Sequence, residues 1–478
     1  MKKNRITALI LSLLMLGLSF TACSDKNADD ADEKDSAAVG ESETSVQEED
    51  GTTYYKDMPA VDYEGWTFNI STWAPRQDAL LYFTVEEATG EQMNDAMYNR
   101  VLNIEDKYNI NVNDMVDRDT ADDIQKSVRA GTRDWGLGFL PMDDGTTLMS
   151  SGFIVSFTDI AVDLDKPYWD VGARESLTIN EKMYYGLSDV TFDHYESCAI
   201  LFYNGQLLSD NQITESPYQL YIDGKWTLDA MYDMMEKVSR DLNGDGAMTE
   251  GEDIFGLVGR KLRHVAALPS SNVDVITYSA ADENYILNTG DEALLSVGEM
   301  LTKMTTDTNI CIIDGDYAKD EFTSGRALFD SHLLADFRGY RENDDNYGII
   351  TWPSLEENTA GKVYVRNPHC IVVPSGLEDY DRLSTVIDAF AAYSCDYIIE
   401  EYIGRAVIGK GARDAESAAM IRDMIGRRYY DITYPMGFDV IIEAWEKAVD
   451  NGTYESTLAK VAKVFKTLAK NALAPYFD

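Results

Sequence analysis

The sequence is poor in cysteine and histidine, and its acidic residues outnumber its basic ones about two to one. Its 478 residues include 5 Cys and 4 His, and 84 Asp and Glu stand against 41 Lys and Arg, for a formal net charge of −43. A charge of this size repels phosphate backbones, so we expect no nucleic-acid partner. No CxxC pair occurs and the histidines lie far apart, which argues against thiolate or histidine metal clusters.

Signature motifs of common enzyme classes are also absent. The sequence contains no GxSxG, HExxH, Walker or GxGxxG motif. Paired carboxylates can serve a glycoside hydrolase, but their proximity in sequence carries no information among so many acidic residues. We therefore expect a protein that is not an enzyme, and a surface glycoside-active enzyme is the alternative.

The N-terminus carries an export pattern. Lys2, Lys3 and Arg5 precede an apolar run at 6–20 that is too short for an ordinary membrane-spanning helix, and Cys23 follows. This pattern resembles a bacterial lipoprotein signal, which predicts a signal peptide at 1–22, a lipid on Cys23 and a position on the outer face of the cell membrane. An ordinary secretory signal with an incidental cysteine is the alternative.

Residues 23–53 read as a tether. Between 24 and 53 there are no aromatic residues, and 11 Asp and Glu accompany two Lys. Such a segment cannot bury enough apolar surface to fold, and its charges extend it. The whole chain contains 29 Tyr, 16 Phe and 7 Trp, which is enough aromatic side chain for a large core in the body that follows the tether. Cys198, Cys311 and Cys370 lie in apolar runs, which favours free, buried thiols.

The body alternates strand and helix patterns. Trp66–Ile70 and Ile110–Val112 alternate as strands, and between them Met93, Met97 and Ile104 share one helix face. Further strands are expected at 137–140, 199–203, 254–258, 347–351 and 370–373, and helices at 228–238, 294–304, 383–393 and 457–468. The pattern predicts an α/β protein whose sheets are covered on both faces, divided into two lobes.

A calcium-type loop follows the helix predicted at 228–238. In the twelve residues 241–252, oxygen-bearing side chains and a turn glycine, Gly246, stand at the spacing of an EF-hand loop. The expected ligands of a structural Ca²⁺ are Asp241, Asn243, Asp245, Ala247, Thr249 and Glu252. The alternative is an acidic, glycine-rich turn without metal.

Several longer segments together resemble the extracellular solute-binding proteins, family 1, of carbohydrate ABC transporters. These segments are WTLDAMYDMMEKVSRDLNGDGAMTEGEDIFGL from Trp226, FTSGRALFDSHLLADFR from Phe322 and YGIITWPSLEEN from Tyr347. The resemblance implies a two-lobed type II periplasmic-binding-protein fold with hinge crossings near 192–195, 330–333 and 367–372. It implies lobe 1 at 54–193 and 332–370, and lobe 2 at 194–331 and 371–478. It also implies a monomer that captures a carbohydrate ligand and meets ABC transporter permease subunits.

A sugar site needs aromatic faces and planar polar groups in a cleft. Trp73 lies after the first strand, in the Ser-Thr-Trp-Ala-Pro-Arg loop, where an open sheet places its ligands. The candidate ligand-binding residues are Trp73, Arg76, Asp143, Asp144, Trp169, His194, His332, Trp352 and Arg366. For each Trp and His, packing is the alternative, and we assign Trp226 and Trp445 to packing. A non-transport binding lipoprotein is a further alternative function.

Overall fold

Thirteen strands are present in the computed structural model, which describes residues 53–73, 83–279, 281, 283–312, 319–340 and 346–477. In chain order they are β1 (Trp66–Thr72), β2 (Ile110–Met115), β3 (Leu137–Pro141), β4 (Ile154–Val155), β5 (Ala199–Asn204), β6 (Phe255–Gly259), β7 (Ile276–Ser279), β8 (Asn284–Leu287), β9 (Ala327–Leu333), β10 (Tyr347–Thr351), β11 (Val363–Val365), β12 (His369–Pro374) and β13 (Arg428–Tyr430).

Helices occupy much of the rest of the described chain. The α-helices are α1 (Tyr54–Asp57), α2 (Gln92–Tyr108), α3 (Thr120–Ala130), α4 (Thr146–Ser150), α5 (Val171–Leu177), α6 (Asp193–Glu196), α7 (Gly205–Asp210), α8 (Pro217–Ile222), α9 (Leu228–Val238), α10 (Arg263–Ser270), α11 (Glu292–Thr306), α12 (Lys319–Thr323), α13 (Tyr380–Tyr397), α14 (Ile399–Glu401), α15 (Gly409–Gly411), α16 (Ala415–Gly426), α17 (Asp439–Asn451) and α18 (Tyr454–Phe477). Short 3₁₀ helices and a π-helix (Tyr402–Ile408) complete them.

The first sheet has the strand order β2-β1-β3-β12-β4. Strand β1 runs parallel to β2 and β3, whereas β12 runs antiparallel to β3 and β4. Helix α2 joins β1 to β2 and buries Met93, Met97 and Ile104, the face that the sequence spacing predicted. Helix α13 packs against α2, and its Phe390 ring lies 6.2 Å from the ring of Phe68 in β1. A mixed sheet covered by helices therefore forms this lobe.

The second sheet has the order β10-β5-β9-β6, in which only β6 and β9 pair in parallel. Helices α9 and α16 pack on its strands. Trp226 lies just before α9; its ring packs on Phe329 of β9, and its Nε1 donates to the carbonyl of Thr351 at 2.9 Å. The predicted strands and helices of both sheets are confirmed, and so is the packing role of Trp226 and of Trp445, which is buried in α17.

The chain passes between the two sheets at residues 187–198, the first crossing, and at residues 352–368, the second crossing. Gly186 bridges to Ile371 in the first sheet before β5 enters the second, and β12 returns to the first sheet after β10. The crossing expected near 192–195 therefore agrees with the sheets, whereas of the one expected near 367–372 only residues 367 and 368 precede β12. Residues 330–333, where a third was expected, lie inside β9 and are paired with β5, so that expectation is wrong.

The expected division of the C-terminal half is also wrong in two segments. Residues 332–370 were assigned to lobe 1, but β10 pairs with β5 in the second sheet. Residues 371–478 were assigned to lobe 2, but β12 pairs with β3 in the first sheet and α13 packs on α2. Both strands are continuous apolar runs, which fit either sheet, so composition does not determine which partner they pair with.

The cysteines and the helices bear on two further expectations. Cys198 and Cys370 are free and buried, as predicted, while Cys311 is buried and Cys395 is half-buried. Cys23 and the segments at 1–22 and 23–53 lie outside the described residues, except for residue 53. Of the helices in the described ranges, none is both long and apolar enough to cross a membrane.

Candidate functional site

Strands β1 and β3 end at the same edge of the first sheet, where β12 begins. Trp73 follows β1 directly, and its backbone N–H donates to the carbonyl of Phe139 in β3 at 2.8 Å. The Trp73 ring packs against the imidazole of His369, with ring centroids 5.2 Å apart, and the other neighbour of this imidazole is the ring of Phe139 at 5.3 Å. A half-buried indole is thus held at the edge where open α/β sheets bind their ligands.

Two exposed carboxylates lie near this imidazole. Asp143 and Asp144 follow β3, and the backbone N–H of Asp143 donates to Oδ1 of Asn367 at 3.2 Å. Partial burial, then repulsion from Asp143, raises the pKa of Asp144, while the nearby His369 acts in the opposite direction. Asp143 and His369 therefore lie close enough to Asp144 for their charges to change its pKa.

The segment after β13 faces the same edge. Oγ1 of Thr146 donates to the carbonyls of Tyr434 and Pro435, both at 3.2 Å. Burial raises the pKa of Tyr434, and the adjacent Arg366 guanidinium opposes that shift. Partial burial raises the pKa of Asp439, and repulsion from Asp143 adds to this shift. We call this site the Trp73 cluster (Trp73, Asp143, Asp144, Arg366, His369 and Tyr434).

The structure brings together four of the predicted ligand-binding residues, Trp73, Asp143, Asp144 and Arg366. Arg76 lies outside the described residues. His369 and Tyr434 were not predicted. The only sequence signal for His369 is its place in the segment expected to form a crossing, and Tyr434 has no comparable signal.

The other predicted ligand-binding residues are buried elsewhere. Trp169 is 2% exposed, and its Nε1 donates to Oδ1 of Asp388 at 3.0 Å. Trp352 is 3% exposed. His332 lies in β9, where Nδ1 is 3.1 Å from Oδ2 of Asp336. Trp352 and His332 are packed inside the protein, whereas Trp169, although 2% exposed, contributes to the lining of a cavity described below.

His194 belongs to a buried charge cluster at the first crossing. Its Nε2 lies 3.9 Å from Oδ2 of Asp170, the N-cap residue of α5, and burial lowers the pKa of His194 to about 3. The same Oδ2 accepts hydrogen bonds from Nε of Arg428 at 2.8 Å and from the hydroxyl of Tyr430 at 2.9 Å. Burial works to raise the pKa of Asp170, but Arg428 and the other donors hold it below its ordinary value.

A polar cavity of about 550 Å³ opens beside this buried cluster. Its lining includes α5, Asp189 and Tyr195 of the first crossing, and residues next to β11 and β13, among them Lys362 and Tyr429. No member of the Trp73 cluster lines it. We call it the hinge cavity, and it is a second candidate binding site for a solute.

The buried Asp189 makes stability depend on pH. Its carboxylate accepts from the hydroxyl of Tyr195 at 2.6 Å, and burial raises its pKa from 3.8 to about 7. Between about pH 4 and pH 7 the folded protein therefore keeps a proton on Asp189 that the unfolded chain has released. The contribution of Asp189 to the free energy of unfolding is full below about pH 4 and is lost as the pH rises through 7.

We expect Asp189→Asn to remove this loss. The stability of Asp189→Asn relative to the parent is expected to rise from about pH 4 to pH 7 and then to level off. Urea unfolding of both proteins across this range measures it. A difference that does not change with pH would show that Asp189 is ionised throughout.

The loop at 241–252 is held by side-chain-to-backbone hydrogen bonds and does not gather the predicted ligands around one point. Oδ1 of Asp241 accepts from the N–H of Gly244 at 2.6 Å and Oδ2 from that of Gly246 at 2.8 Å, and these bonds lower the pKa of Asp241. Nδ2 of Asn243 donates to Oε2 of Glu252 at 2.8 Å. Among the described residues, no three His, Cys, Asp or Glu side chains are placed to hold a metal ion.

Comparison with known proteins identifies the family. The sequence model of the bacterial extracellular solute-binding proteins matches residues 100–393, which is more than half of the chain. The chain belongs to this family. No curated protein sequence matches the chain.

Solved structures share the fold of this solute-binding protein. An ABC substrate-binding protein of Listeria monocytogenes in complex with cycloalternan has a TM-score of 0.52 at 12% identity, covering 84% of this chain and 99% of its own. The maltose/maltodextrin-binding domain MalE of Bdellovibrio bacteriovorus, bound to maltotriose, has 0.51 at 14% identity, covering 84% and 98%. The GacH receptor of Streptomyces glaucescens has 0.53 at 12% identity, covering 85% and 99%. The predicted two-lobed α/β fold is confirmed.

Proposed function

We propose that this protein is the substrate-binding lipoprotein of an ABC importer and captures a neutral sugar or oligosaccharide between its two lobes. A lipid on Cys23 holds the monomer on the outer face of the cell membrane, where it delivers the sugar to the permease subunits. The observation that carries the proposal is the Trp73 indole, held among polar side chains at the ligand edge of a solute-binding fold. The solved relatives bound to cycloalternan and maltotriose support the sugar class.

The charges of the site favour a neutral ligand. Asp143, Asp144 and Asp439 offer carboxylate oxygens, which accept hydrogen bonds from sugar hydroxyls. The same carboxylates repel an anionic sugar, and only Arg366 in the Trp73 cluster attracts one. A pyranose would place its apolar C–H face on Trp73 and its hydroxyls on these carboxylates.

A glycan panel tests this choice of ligand. We expect at least one neutral oligosaccharide to raise the melting temperature, because a ligand that binds only the folded state stabilises it, and we expect uronic-acid oligomers of the same length to raise it less. Thermal-shift measurements across neutral and uronic-acid glycans decide it. Stabilisation by the uronic acids alone would contradict the neutral-sugar proposal.

The alternatives differ from this proposal in what happens to the sugar. Release of shortened glycans would identify a glycoside-active enzyme, whereas stabilisation without turnover identifies a binding protein. A binding lipoprotein without a transport role would capture the sugar equally well, but uptake of that sugar by the cell would not depend on it.

We also propose that the loop at 241–252 binds a structural Ca²⁺. Calcium prefers six to eight oxygen ligands, and Asp241, Asn243, Asp245, Thr249, Glu252 and the carbonyl of Ala247 supply them at the required spacing. Binding would replace the hydrogen bond between Asn243 and Glu252, and the ion would neutralise the carboxylates that come together around it.

We expect chelation with EDTA to lower the melting temperature and added Ca²⁺ to restore it. Asp241→Ala and Glu252→Ala should abolish the response, whereas Glu250→Ala, exposed at a position of the loop that does not bind the ion, should keep it. Calorimetric titration with Ca²⁺ measures uptake directly. Equal uptake by all three variants would disprove the assignment.

A further inference from the structure

The carboxylate of Asp193 connects the first crossing to His369, the residue that follows the second crossing and packs against Trp73. Asp193 lies in α6 at the first crossing, and His369 begins β12 just after the second crossing. Oδ2 of Asp193 lies 2.8 Å from both the backbone nitrogen and Nδ1 of His369. Both side chains are 8% exposed, so water competes little for these bonds.

This contact sets the state of the imidazole. Because the carboxylate only accepts, Nδ1 of a neutral His369 carries the proton and Nε2 is left as an acceptor. The bond from the backbone nitrogen anchors the carboxylate, and the bond to Nδ1 restrains rotation of the ring. The face on which Trp73 packs, 5.2 Å between ring centroids, is therefore fixed through Asp193.

The same short helix is bound to the second lobe. Oε1 of Glu196, at the other end of α6, accepts from Nη2 of Arg338 at 2.6 Å, and Arg338 follows β9 of the second sheet. Helix α6 is thus tied to the first sheet through Asp193 and to the second lobe through Glu196. A rotation of one lobe against the other must move α6 or break one of these ties.

We infer that Asp193 is a positioning residue of the Trp73 cluster: it holds His369, and through it the Trp73 ring, in the orientation that stacks on a sugar, and it links that ring to the hinge. This inference rests on the proposed function for its ligand. The inference gives a role to the buried carboxylate of Asp193, which connects the crossings next to the edge of the first sheet that is expected to bind the ligand.

The first test measures binding with the full chain and maltotriose as the probe. We expect Asp193→Ala to weaken binding about tenfold, because the stacking platform loses its support. Asp193→Asn keeps an acceptor oxygen and should stay within about threefold of the parent. Asp388→Asn is the matched control: this buried aspartate bonds Trp169 in the same lobe, and its loss should leave affinity unchanged.

The second test needs no ligand. In a proton–nitrogen NMR spectrum, assigned with Trp73→Phe, Asp193→Ala should shift the Trp73 indole signal and remove the fixed Nδ1–H tautomer of His369, while Asp388→Asn should shift the Trp169 signal instead. Should Asp193→Ala fail to fold, Asp193→Ser, whose shorter side chain does not reach Nδ1 of His369, takes its place with the same expected shift.

The outcomes distinguish a failure of the positioning role of Asp193 from a failure of the proposed sugar-binding function. An unshifted Trp73 signal, or a shifted signal with unchanged affinity, overturns the positioning role. If the parent binds no glycan, the proposed function fails, and the Trp73 signal alone then decides the inference: a shift supports the role of Asp193 and its absence overturns it.

Discussion

Asp170→Ala is expected to lower the free energy of unfolding by about 3–5 kcal/mol, because it leaves Arg428 buried without its partner. The side chains of Asp170 and Arg428 are 2% and 9% exposed, and Nε of Arg428 lies 2.8 Å from the carboxylate. Asp170 also caps α5 by accepting from the N–H of Ala173 at 2.8 Å, so the variant loses the cap as well. Urea unfolding measures the change.

Two controls separate burial from charge in this experiment. The double variant Asp170→Leu with Arg428→Met removes both charges and should be less destabilised than Asp170→Ala. Asp165→Ala breaks a pair with Arg174 of α5 in which Asp165 is 92% exposed, and it should change stability little because solvent screens that pair. Equal effects of Asp170→Ala and Asp165→Ala would show that the Asp170–Arg428 pair is not buried in solution.

The second large effect is on affinity. Trp73→Ala is expected to weaken sugar binding by about 1–3 kcal/mol with little loss of stability, because the half-buried ring lies at an open edge. Trp226→Ala should do the opposite, costing about 3–5 kcal/mol of stability with affinity per folded molecule unchanged, because that ring fills the core beside Phe329.

Paired calorimetry and thermal unfolding of both variants with one sugar test this contrast. Tyr429→Ala in the hinge cavity is the positional control, and it should leave affinity unchanged. Full affinity in Trp73→Ala together with loss in Tyr429→Ala would move the ligand from the Trp73 cluster to the hinge cavity.

The elements of the fold could be predicted from the sequence because each carries a local period. Met93, Met97 and Ile104 recur at helical spacing, and they form the buried face of α2. The partners of β10 and β12 could not be predicted in this way, since an apolar strand fits either sheet and pairing depends on residues far along the chain.

The site was predictable only in part for a similar reason. Trp73, Asp143 and Asp144 were found because each lies within three residues after the end of a strand, at the edge where α/β folds bind ligands. The contact between Asp193 and His369 joins residues 176 positions apart, and no local pattern predicts it. Trp169 and Trp352 looked equally suited to a ligand, but a single aromatic residue in a sequence does not show whether its ring is exposed.

Small-angle scattering of the protein with and without a saturating sugar from the glycan panel tests the central claim, capture between two lobes, most directly. A ligand held between lobes favours the closed arrangement by its greater affinity for that arrangement, so the radius of gyration should fall on binding. Trp73→Ala at the same sugar concentration should show a smaller contraction. An unchanged radius at full saturation of the parent would contradict closure of the two lobes around the ligand.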